Sequence, residues 1–380
     1  MIRILHVLSG MERAGTETLL MNLYRHIDRS KIQFDFAVSA TNKAAYDDEI
    51  IAMGGRIFHY PRYRGKNHFA YKKWWNEFLT KHNEYQIVHG HIGSTAAIYL
   101  NIAKKHGRYT IAHSHSTYGK PDAQQILYRI YSYPTRFIAD YFLGCSMPAL
   151  ECRYGKKVAH NGNKAQILHN AIDAEKFRYN PEARKKIQNE LSIRENTFVV
   201  GTVSRLTPQK NPYFTLDIIK QLSKKIPHFK FLWVGTGELE DDIKRIVKES
   251  KLTDRVIFTG SVPNANEMYQ AMDVFIFPSL WEGLGNVAIE AQAAGLPTLC
   301  SIEVPREAKA TDLANFLPLD SAETWCDELL NLESLIKSKE YTRKDTFEEI
   351  IKAKYDISAV AEWLEKFYLV YDNPHRNGRR

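Results

Sequence analysis

Short apolar runs alternate with longer amphipathic segments along the whole chain. A run of about four to eight apolar residues between turn residues is typical of a strand buried on both faces, whereas apolar residues about 3.6 apart indicate a helix. The segment Thr16–Ile27 has the helical spacing, because Leu19, Leu20 and Leu23 fall on one face. Repeated alternation of strand and helix predicts βαβ units and parallel sheets covered by helices on both faces.

The alternation occurs in both halves of the chain. The predicted strands of the first half are Arg3–Leu8, Gln33–Val38, Arg56–Tyr60, Gln86–His89, Thr110–His113 and Gln166–Leu168. Those of the second half are Phe198–Val203, Lys230–Val234, Arg255–Thr259, Asp273–Phe277 and Pro297–Cys300. Helices are predicted between the strands of the second half at about 212–225, 239–251, 265–272 and 286–294.

Two domains account for this repeated pattern, since a domain has roughly 100–200 residues and the chain has 380. The break falls in the polar, charge-rich segment Asn170–Glu195. We predict an α/β protein with two Rossmann-like, doubly wound domains, residues 1–170 and 171–356, which face each other across a cleft. A helix at about 357–372 is expected to pack back on the first domain. In such sheets ligands bind beyond the carboxyl ends of the strands.

Cysteine usage and hydropathy indicate a cytoplasmic protein. The four cysteines, Cys145, Cys152, Cys300 and Cys326, lack the spacing of a zinc site and are expected to be reduced thiols. The first residues are interrupted too early for a signal peptide, and no strictly apolar run reaches the roughly 20 residues that a membrane span requires.

The net charge of +8 is unevenly distributed. Residues 1–190 hold 28 Lys and Arg against 16 Asp and Glu, whereas residues 191–380 hold 24 against 28. A basic first half is expected to meet an anionic partner, such as nucleic acid, an anionic membrane surface or a phosphorylated acceptor.

A candidate phosphate-binding loop, Ser204–Asn211, follows a predicted buried strand and precedes a helix. Its two cations, Arg205 and Lys210, suit a diphosphate, because arginine offers a planar fork of donors and lysine a compact charge. The alternative is that both are solvated loop cations. Gly235 and Gly237 follow the next strand, where glycine lets the backbone approach a ligand, or only makes a tight turn.

A second anion-binding feature is the segment Pro278–Glu290, in which glycines precede a helix that begins near Asn286. Free N–H groups at a helix start favour an anion. Glu282 lies before the helix and Glu290 inside it, so the two carboxylates can contact two polyol parts of one ligand whose phosphates lie between them. The alternative is a tight turn and a surface glutamate.

Together these motifs resemble those of a known enzyme family. Glu282 and Glu290, with seven residues between them, resemble the E-x7-E signature of retaining glycosyltransferases of family 4, which have the GT-B fold. The loop Ser204–Asn211 resembles that family's phosphate loop. Further similar segments are Gly295-Leu296-Pro297, the linker Leu168–Asp173 and, as in bacterial exopolysaccharide and capsule glycosyltransferases, Gly15-Thr16-Glu17 with Met21–Arg25.

The resemblance implies a retaining hexosyltransferase that uses a nucleotide-diphosphate sugar, such as UDP-hexose or UDP-N-acetylhexosamine, without a metal or a cofactor. Arg205 and Lys210 would neutralise the departing diphosphate, Glu282 would contact sugar hydroxyls and Glu290 would bind the ribose. The other implied donor contacts are Gly15 and Thr16 from the first domain, Gly235 and Gly237, Val262 at the base, and Gly285, Asn286 and Val287 through backbone amides. Departures from the family pattern are Ala14, Leu284 and the segment Ile302–Glu307, so the acceptor side is left open.

Two pairs of histidines end predicted strands: His89 with His91, and His113 with His115. The resemblance favours His115 as the active-site histidine, with His113 as the second choice, and the alternative for each is a buried, hydrogen-bonded histidine. Such pairs are also typical of metal ligands. We predict no metal site, because no carboxylate or cysteine lies near them in sequence and two cations already face the phosphates.

The segment Phe58–Trp75 alternates cations with aromatic residues, a composition found at anionic membrane surfaces and at sites that stack on sugars or bases. The alternative is a helix with core tryptophans and solvated lysines. We hypothesise that this segment holds the protein on the inner face of the cell membrane, near a glycan or polyprenyl-diphosphate-linked acceptor.

Two other functions fit parts of the sequence. One is another GT-B enzyme, such as a sugar-nucleotide epimerase, which shares the fold. The other is a non-enzymatic nucleic-acid-binding protein, suggested by the basic half, although no recognised DNA- or RNA-binding motif is present and nucleic acid is not the expected partner.

Overall fold

The computed structural model describes residues 1–115 and 123–372, and the chain divides into two compact units. The first unit combines Met1–Ala171 with the segment that begins at Ile357, and the second is Ile172–Asp356. In the described residues, no helix combines the length and the apolar character needed to span a bilayer.

The first unit contains a parallel sheet with the strand order β3-β2-β1-β4-β5-β6-β7. Its elements before residue 172 are β1 Ile2–Leu8, α1 Gly15–His26, β2 Ile32–Val38, α2 Asp47–Ala52, β3 Ile57–His59, α3 His68–Lys81, β4 Tyr85–Gly90, α4 Gly93–Lys105, β5 Tyr109–Ser114, α5 Ala123–Ser132, α6 Thr135–Ile138, β6 Tyr141–Gly144, α7 Met147–Tyr154, α8 Lys156–Ala159 and β7 Ala165–Ile167.

The second unit contains a parallel sheet with the corresponding order β10-β9-β8-β11-β12-β13. Its elements are α9 Ala174–Phe177, α10 Pro181–Glu190, β8 Phe198–Val203, α11 Pro212–Lys225, β9 Phe229–Val234, α12 Glu240–Glu249, β10 Val256–Gly260, α13 Ala265–Ala271, β11 Val274–Phe277, α14 Asn286–Ala293, β12 Thr298–Ser301, β13 Ala314–Leu317, α15 Ala322–Lys337 and α16 Phe347–Lys352, with 3₁₀ turns at Pro208–Lys210 and Arg306–Ala308. A last helix, α17 Ile357–Tyr371, belongs to the first unit.

Each sheet is covered by helices on both faces, as parallel sheets require. In the first unit, Leu20 of α1 and Leu364 of α17 pack in one core with Ile4, whereas Trp75 of α3 and Leu100 of α4 pack in the core on the other face. In the second unit the two faces form separate cores around Phe231 and Phe275. The predicted fold class of two doubly wound parallel sheets is confirmed.

All the predicted strands are present, but β6 and β13 were not predicted. β6 offers only Tyr141, Phe142 and Leu143 between Asp140 and Gly144, which is too short a run to distinguish a strand from part of a helix. In β13 the apolar run is interrupted by an exposed residue, Asn315. Both strands lie towards one edge of their sheet, where short strands suffice for pairing.

The structure corrects the expectation that the aromatic residues of Phe58–Trp75 face a membrane. Tyr71 and Trp75 are fully buried in the core between α3 and the sheet, and Trp74 packs partly against it. These tryptophans therefore serve the fold and are not available to a membrane. The exposed part of the segment is Phe69, which is 84% exposed, together with its cations Arg62, Arg64, Lys66, Lys72 and Lys73.

Candidate active site

Strand order brings most of the predicted donor-binding residues to one edge of the second sheet. β10, β9, β8 and β11 are neighbours and run parallel, so the loops that follow them meet at their carboxyl ends. Val262 follows β10, Gly235 follows β9, Arg205 follows β8 and Glu282 follows β11.

A buried ion pair joins the loops after β8 and β11. Lys210 Nζ lies 2.5 Å from Glu282 Oε1, and the two side chains are only 15% and 9% exposed. The same ammonium lies 4.8 Å from the centre of the Phe277 ring. The resemblance implies a phosphate contact for Lys210 and a sugar contact for Glu282, and the structure places the two groups in direct contact.

Two hydrogen bonds through Gln209 hold the same loops together. Its carbonyl accepts from the amide of Leu280, and its side-chain amide donates to the carbonyl of Trp281, both at 2.8 Å. Arg205 differs from Lys210, because its side chain is exposed and its guanidinium has no hydrogen-bond or ion-pair partner among the described residues. Arg205 is therefore a cation open to an anionic ligand.

Gly235 and Gly237 let the loop after β9 pack directly on the phosphate loop. A Cβ added at Gly235, where φ is +131°, would lie 2.2 Å from the carbonyl oxygen of Ser204. One added at Gly237 would lie 2.4 Å from the carbonyl oxygen of Leu206. Packing within the protein therefore requires glycine at both positions. This close packing fixes the path of the backbone that carries Arg205.

The start of α14 provides free polar groups beside this loop. Gly285 precedes the helix with φ of +92°, a left-handed conformation that favours glycine. The first amides of a helix, here those of Asn286 and Val287, have no acceptor within the helix. Three buried side-chain oxygens also have no hydrogen-bond partner among the described residues: Thr207 Oγ1, Ser279 Oγ and Asn286 Oδ1. Unpaired buried polar atoms are rare, and a bound polar ligand would explain them.

Glu290 lies inside α14 and is held by Tyr269. The Tyr269 hydroxyl donates to Glu290 Oε2 at 2.7 Å and also lies 3.3 Å from the carbonyl of Val287. Burial raises the pKa of Glu290, and the hydrogen bond from Tyr269 opposes that rise. Tyr269 was not predicted from the sequence, since an aromatic residue in a short helix gives no chemical signal.

The remaining residues expected to contact the donor lie in the first unit and beside β10. Gly15 begins α1 and is exposed, and a Cβ added there would meet no atom within 4 Å. Packing within the described residues therefore does not require glycine at this position, while Thr16 beside it is half-buried. In the second unit, Val262 is half-buried against the core that contains Phe275.

Five histidines of the first unit share one face of the sheet at the ends of β1, β4 and β5. Side chains two apart in a strand point to the same face, so His89 and His91 lie together, as do His113 and His115. His6 of β1 is paired in register with His89 and completes the cluster. His6 was not predicted from the sequence as a site residue, although it too lies near the carboxyl end of a strand.

Hydrogen-bond contacts link these imidazoles in two separate networks of side chains. His91 Nε2 lies 3.0 Å from His6 Nδ1, and His91 Nδ1 lies 2.8 Å from His115 Nε2. His89 Nε2 lies 3.2 Å from His113 Nδ1, and its Nδ1 lies 2.6 Å from the hydroxyl of Tyr368 in α17. Three ring nitrogens have no partner among the described residues: His6 Nε2, His113 Nε2 and His115 Nδ1.

Burial keeps these histidines neutral. Burial lowers the pKa of His6 to about 3 and the pKa of His115 to about 4. An interaction with the Asn170 side chain opposes the lowering of the His115 pKa. Burial also lowers the pKa of His89 and His113 well below the usual value, and neighbouring imidazoles lower each further. His113 is 3% exposed, while His115 is partly exposed and thus the more accessible of the two candidate active-site histidines.

Comparisons with known proteins cover both units. A family profile described as Glycosyltransferase Family 4 matches residues 13–176, and one described as Glycosyl transferases group 1 matches residues 183–310. The chain is 31% identical to the putative glycosyltransferase EpsF of Bacillus subtilis (strain 168) over 81% of each protein. It is 30% identical, over 59% of each protein, to UDP-Gal:alpha-D-GlcNAc-diphosphoundecaprenol alpha-1,3-galactosyltransferase of Escherichia coli.

A solved structure has the same architecture. The crystal structure of Anabaena Alr3699/HepE in complex with UDP matches with a TM-score of 0.77, covering 97% of this chain and 100% of that chain. The sequence identity is 15%, so this likeness concerns the fold.

Proposed function

We propose a function from the premise that the chain belongs to the family 4 glycosyltransferases, which have the GT-B fold. The protein is a glycosyltransferase. The finer proposal is a retaining hexosyltransferase that moves a sugar from a nucleotide-diphosphate donor onto a glycan or lipid-linked acceptor in extracellular or capsular polysaccharide biosynthesis. UDP-hexose and UDP-N-acetylhexosamine are the proposed donors.

The observation that carries this proposal is the polar cluster at the carboxyl ends of β8 and β11. It combines the free guanidinium of Arg205, the Lys210 ammonium and the open amides at the start of α14 with unpaired buried oxygens at Thr207 and Ser279. A diphosphate has the negative charge and the acceptor oxygens that satisfy the cations and amides of such a cluster. UDP bound to a protein of the same fold supports the choice of nucleotide.

In the proposed reaction the bond between the sugar C1 and the diphosphate oxygen breaks while the oxygen of an acceptor hydroxyl attacks C1 from the same face. The acceptor hydroxyl passes its proton to the departing diphosphate. Negative charge grows on the β-phosphate as that bond breaks. We assign the stabilisation of this charge to Arg205, Lys210 and the helix start, because preorganised donors usually make the largest catalytic contribution. Glu282 is assigned to the sugar hydroxyls, Glu290 to the ribose and His115 to the active site of the first unit. No metal or cofactor enters these steps.

For the acceptor we favour a polyprenyl-diphosphate-linked glycan. A relative that is 30% identical is named for a diphosphoundecaprenol-linked substrate. Contact with an anionic membrane through the exposed part of Phe58–Trp75, at the inner face of the cell membrane, would bring the enzyme to such an acceptor. Phe69 and the neighbouring Lys72 and Lys73 are exposed and suit this contact.

A panel of nucleotide sugars tests the donor assignment. A ligand that binds only the folded protein raises its melting temperature, so the true donor and its nucleotide are expected to raise it most. Turnover is then measured with that donor and a polyprenyl-diphosphate-linked acceptor. Absence of stabilisation by every nucleotide and every nucleotide sugar would contradict the proposed donor site.

A sugar-nucleotide epimerase is the alternative enzyme with this fold. It would convert the donor without an acceptor, whereas the proposed transferase releases nucleotide in proportion to the acceptor added. Nucleotide release with and without acceptor, followed by chromatography of the remaining nucleotide sugar, separates the two.

A further inference from the structure

The histidine cluster of the first unit contains more imidazoles than a single active-site histidine requires. His6, His89 and His113 lie in β1, β4 and β5, and His91 and His115 come directly after β4 and β5. Neighbouring ring centres in this cluster are 4.0–5.3 Å apart. The two hydrogen-bond networks leave three ring nitrogens of these histidines without a partner in the part of the protein that the structure describes. A buried ring nitrogen without a protein partner is available to a water molecule or an ion.

The outer three histidines have the arrangement of a metal site. His91, His113 and His115 each offer one ring nitrogen, and these nitrogens lie within 4.8 Å of one another. His113 lies in β5, His115 comes directly after β5, and His91 comes directly after the neighbouring strand β4, so the ends of two paired strands bring the three side chains together. His91 and His115 are partly exposed, which gives an ion a path of entry.

The inner residues are placed as a supporting layer. A metal-ligating histidine usually bonds through its second nitrogen to a neighbouring group, which fixes its tautomer and ring orientation. His91 Nε2 contacts His6 in this way, and His113 Nδ1 contacts His89. His89 is in turn held by the hydroxyl of Tyr368. This leaves Nδ1 of His91 and the unpaired Nε2 of His113 for an ion.

We propose that His91, His113 and His115 bind one divalent transition-metal ion of the zinc class, and that His6, His89 and Tyr368 orient these ligands. Neutral imidazoles suit zinc, cobalt, nickel and copper, whereas the absence of carboxylates from the triad disfavours magnesium and calcium. The ion takes the place of the hydrogen bond between His91 and His115. The proposed sugar transfer uses His115 as a free imidazole, so the metal-bound form of the protein is not expected to carry out that transfer.

The test uses the full chain produced without a polyhistidine tag, dialysed against buffered zinc and then analysed for bound metal. The expected result is one zinc ion per chain. Titration with cobalt is expected to give the visible absorption of a tetrahedral centre, and a second experiment with magnesium is expected to show no binding. Both readouts are independent of enzyme activity, so a failure of the proposed function leaves them unaffected.

Three variants assign the ligands. His113→Gln and His115→Gln are expected to weaken zinc binding at least tenfold, while His6→Gln, in the supporting layer, is expected to weaken it about 10–100-fold. The matched control is His160→Gln, which changes an exposed histidine of the same unit that is paired with Glu151, and it is expected to bind zinc like the parent. Far-UV circular dichroism establishes that each variant is folded.

If the buried His113 does not tolerate substitution, the variant His115→Gln still tests the proposal, because His115 is partly exposed. The untagged parent is also expected to melt at a higher temperature with zinc than with a chelator, since an ion bound only to the folded state stabilises it. The proposal is overturned if the parent retains no zinc after dialysis, or if His115→Gln retains as much zinc as the parent.

Discussion

The Lys210 ammonium lies 2.5 Å from the Glu282 carboxylate, so the cation expected to meet the diphosphate is already paired with the group expected to meet the sugar. Arg205 has no such partner among the described residues. The two cations of the loop are therefore unequal. Lys210 stabilises the folded structure in addition to its proposed role in ligand binding, whereas ligand binding is the only role that we propose for Arg205.

This inequality predicts different effects of alanine at the two positions. Arg205→Ala is expected to weaken UDP binding by about tenfold or more, the loss of one charge-assisted contact, with little change in melting temperature. Lys210→Ala leaves the Glu282 carboxylate buried without its counter-charge, which costs about 3–5 kcal/mol, and is expected to lower the melting temperature clearly.

Calorimetric titration with UDP and thermal unfolding measure these effects. Lys244→Ala is the control, because Lys244 lies in the same unit and its ammonium makes a solvent-accessible pair with Glu240 and lies 5.6 Å from the centre of the Phe258 ring. If the folded Arg205→Ala/Lys210→Ala double variant kept both UDP affinity and turnover, the proposed diphosphate site would be wrong.

Glu282→Gln is expected to separate nucleotide binding from sugar transfer. The change removes a negative charge beside the proposed diphosphate, so UDP is expected to bind as tightly as before or more tightly. Turnover is expected to fall about 10²–10³-fold, because a group that interacts with the reacting sugar is altered. UDP affinity and single-turnover rates, measured on one preparation, check both parts. Parallel losses of affinity and turnover would argue against a contact with the sugar.

The raised pKa of Glu290 predicts how nucleotide affinity depends on pH. The ribose hydroxyls need the ionised carboxylate as acceptor, so affinity is expected to fall as the pH falls through that raised pKa. In Tyr269→Phe the hydrogen bond that favours the carboxylate is lost, so the fall is expected at a higher pH.

Titrations of UDP across the acidic range compare these proteins with Glu290→Gln. Glu290→Gln is expected to bind UDP weakly and to lack the fall in affinity caused by protonation of Glu290. The comparison therefore separates protonation of Glu290 from protonation of the phosphates. An unchanged midpoint in Tyr269→Phe would remove Glu290 from the ribose site.

Gly235→Ala is expected to destabilise the second unit. The new Cβ would overlap the carbonyl oxygen of Ser204, and the backbone there has φ of +131°. Strain and overlap of this kind cost about 1–3 kcal/mol each, and the loop with Arg205 is expected to shift and bind UDP less well. Gly162→Ala is the control, since a Cβ at that position meets no atom within 4 Å and φ is not positive. Equal melting temperatures for the two variants would contradict this account.

Membrane contact is tested by a reversal of charge on α3. Lys72→Glu/Lys73→Glu is expected to reduce binding to vesicles that contain anionic lipid by more than tenfold, since each cation near the surface contributes about 1 kcal/mol. Lys185→Glu/Lys186→Glu makes the same change of charge at an adjacent, exposed pair on α10 and is the control. Sedimentation with vesicles measures both, and equal binding of the two variants would place the contact elsewhere.

The sequence determined the fold well because a parallel sheet buries both faces of its strands, which makes each long strand a visible apolar run. It did not reveal β6 or β13, in which pairing with a neighbouring strand compensates for short or interrupted apolar runs. The burial of Trp75 was likewise ambiguous, because aromatic residues among lysines suit both a solvated helix and a membrane surface.

The candidate site was only partly visible in the sequence. Motif spacing predicts Arg205, Lys210, Glu282 and Glu290 as site residues, and the parallel strand order brings the loops after β8 and β11 to the same end of the sheet. Contacts between distant segments were not visible: the pairing of Lys210 with Glu282 depends on side-chain conformation. His6 joins the other histidines only through the register of β1 and β4.

The position of the helix α17 at the end of the chain affects the order in which the two units fold during translation. Tyr368 lies in the core of the first unit and contacts His89, yet it follows the whole second unit in the chain. Domains generally fold in order as they leave the ribosome. Here one face of the first sheet is covered only in part, by α1, until the whole second unit and then α17 have been synthesised. During translation, the second unit is therefore expected to complete its fold first.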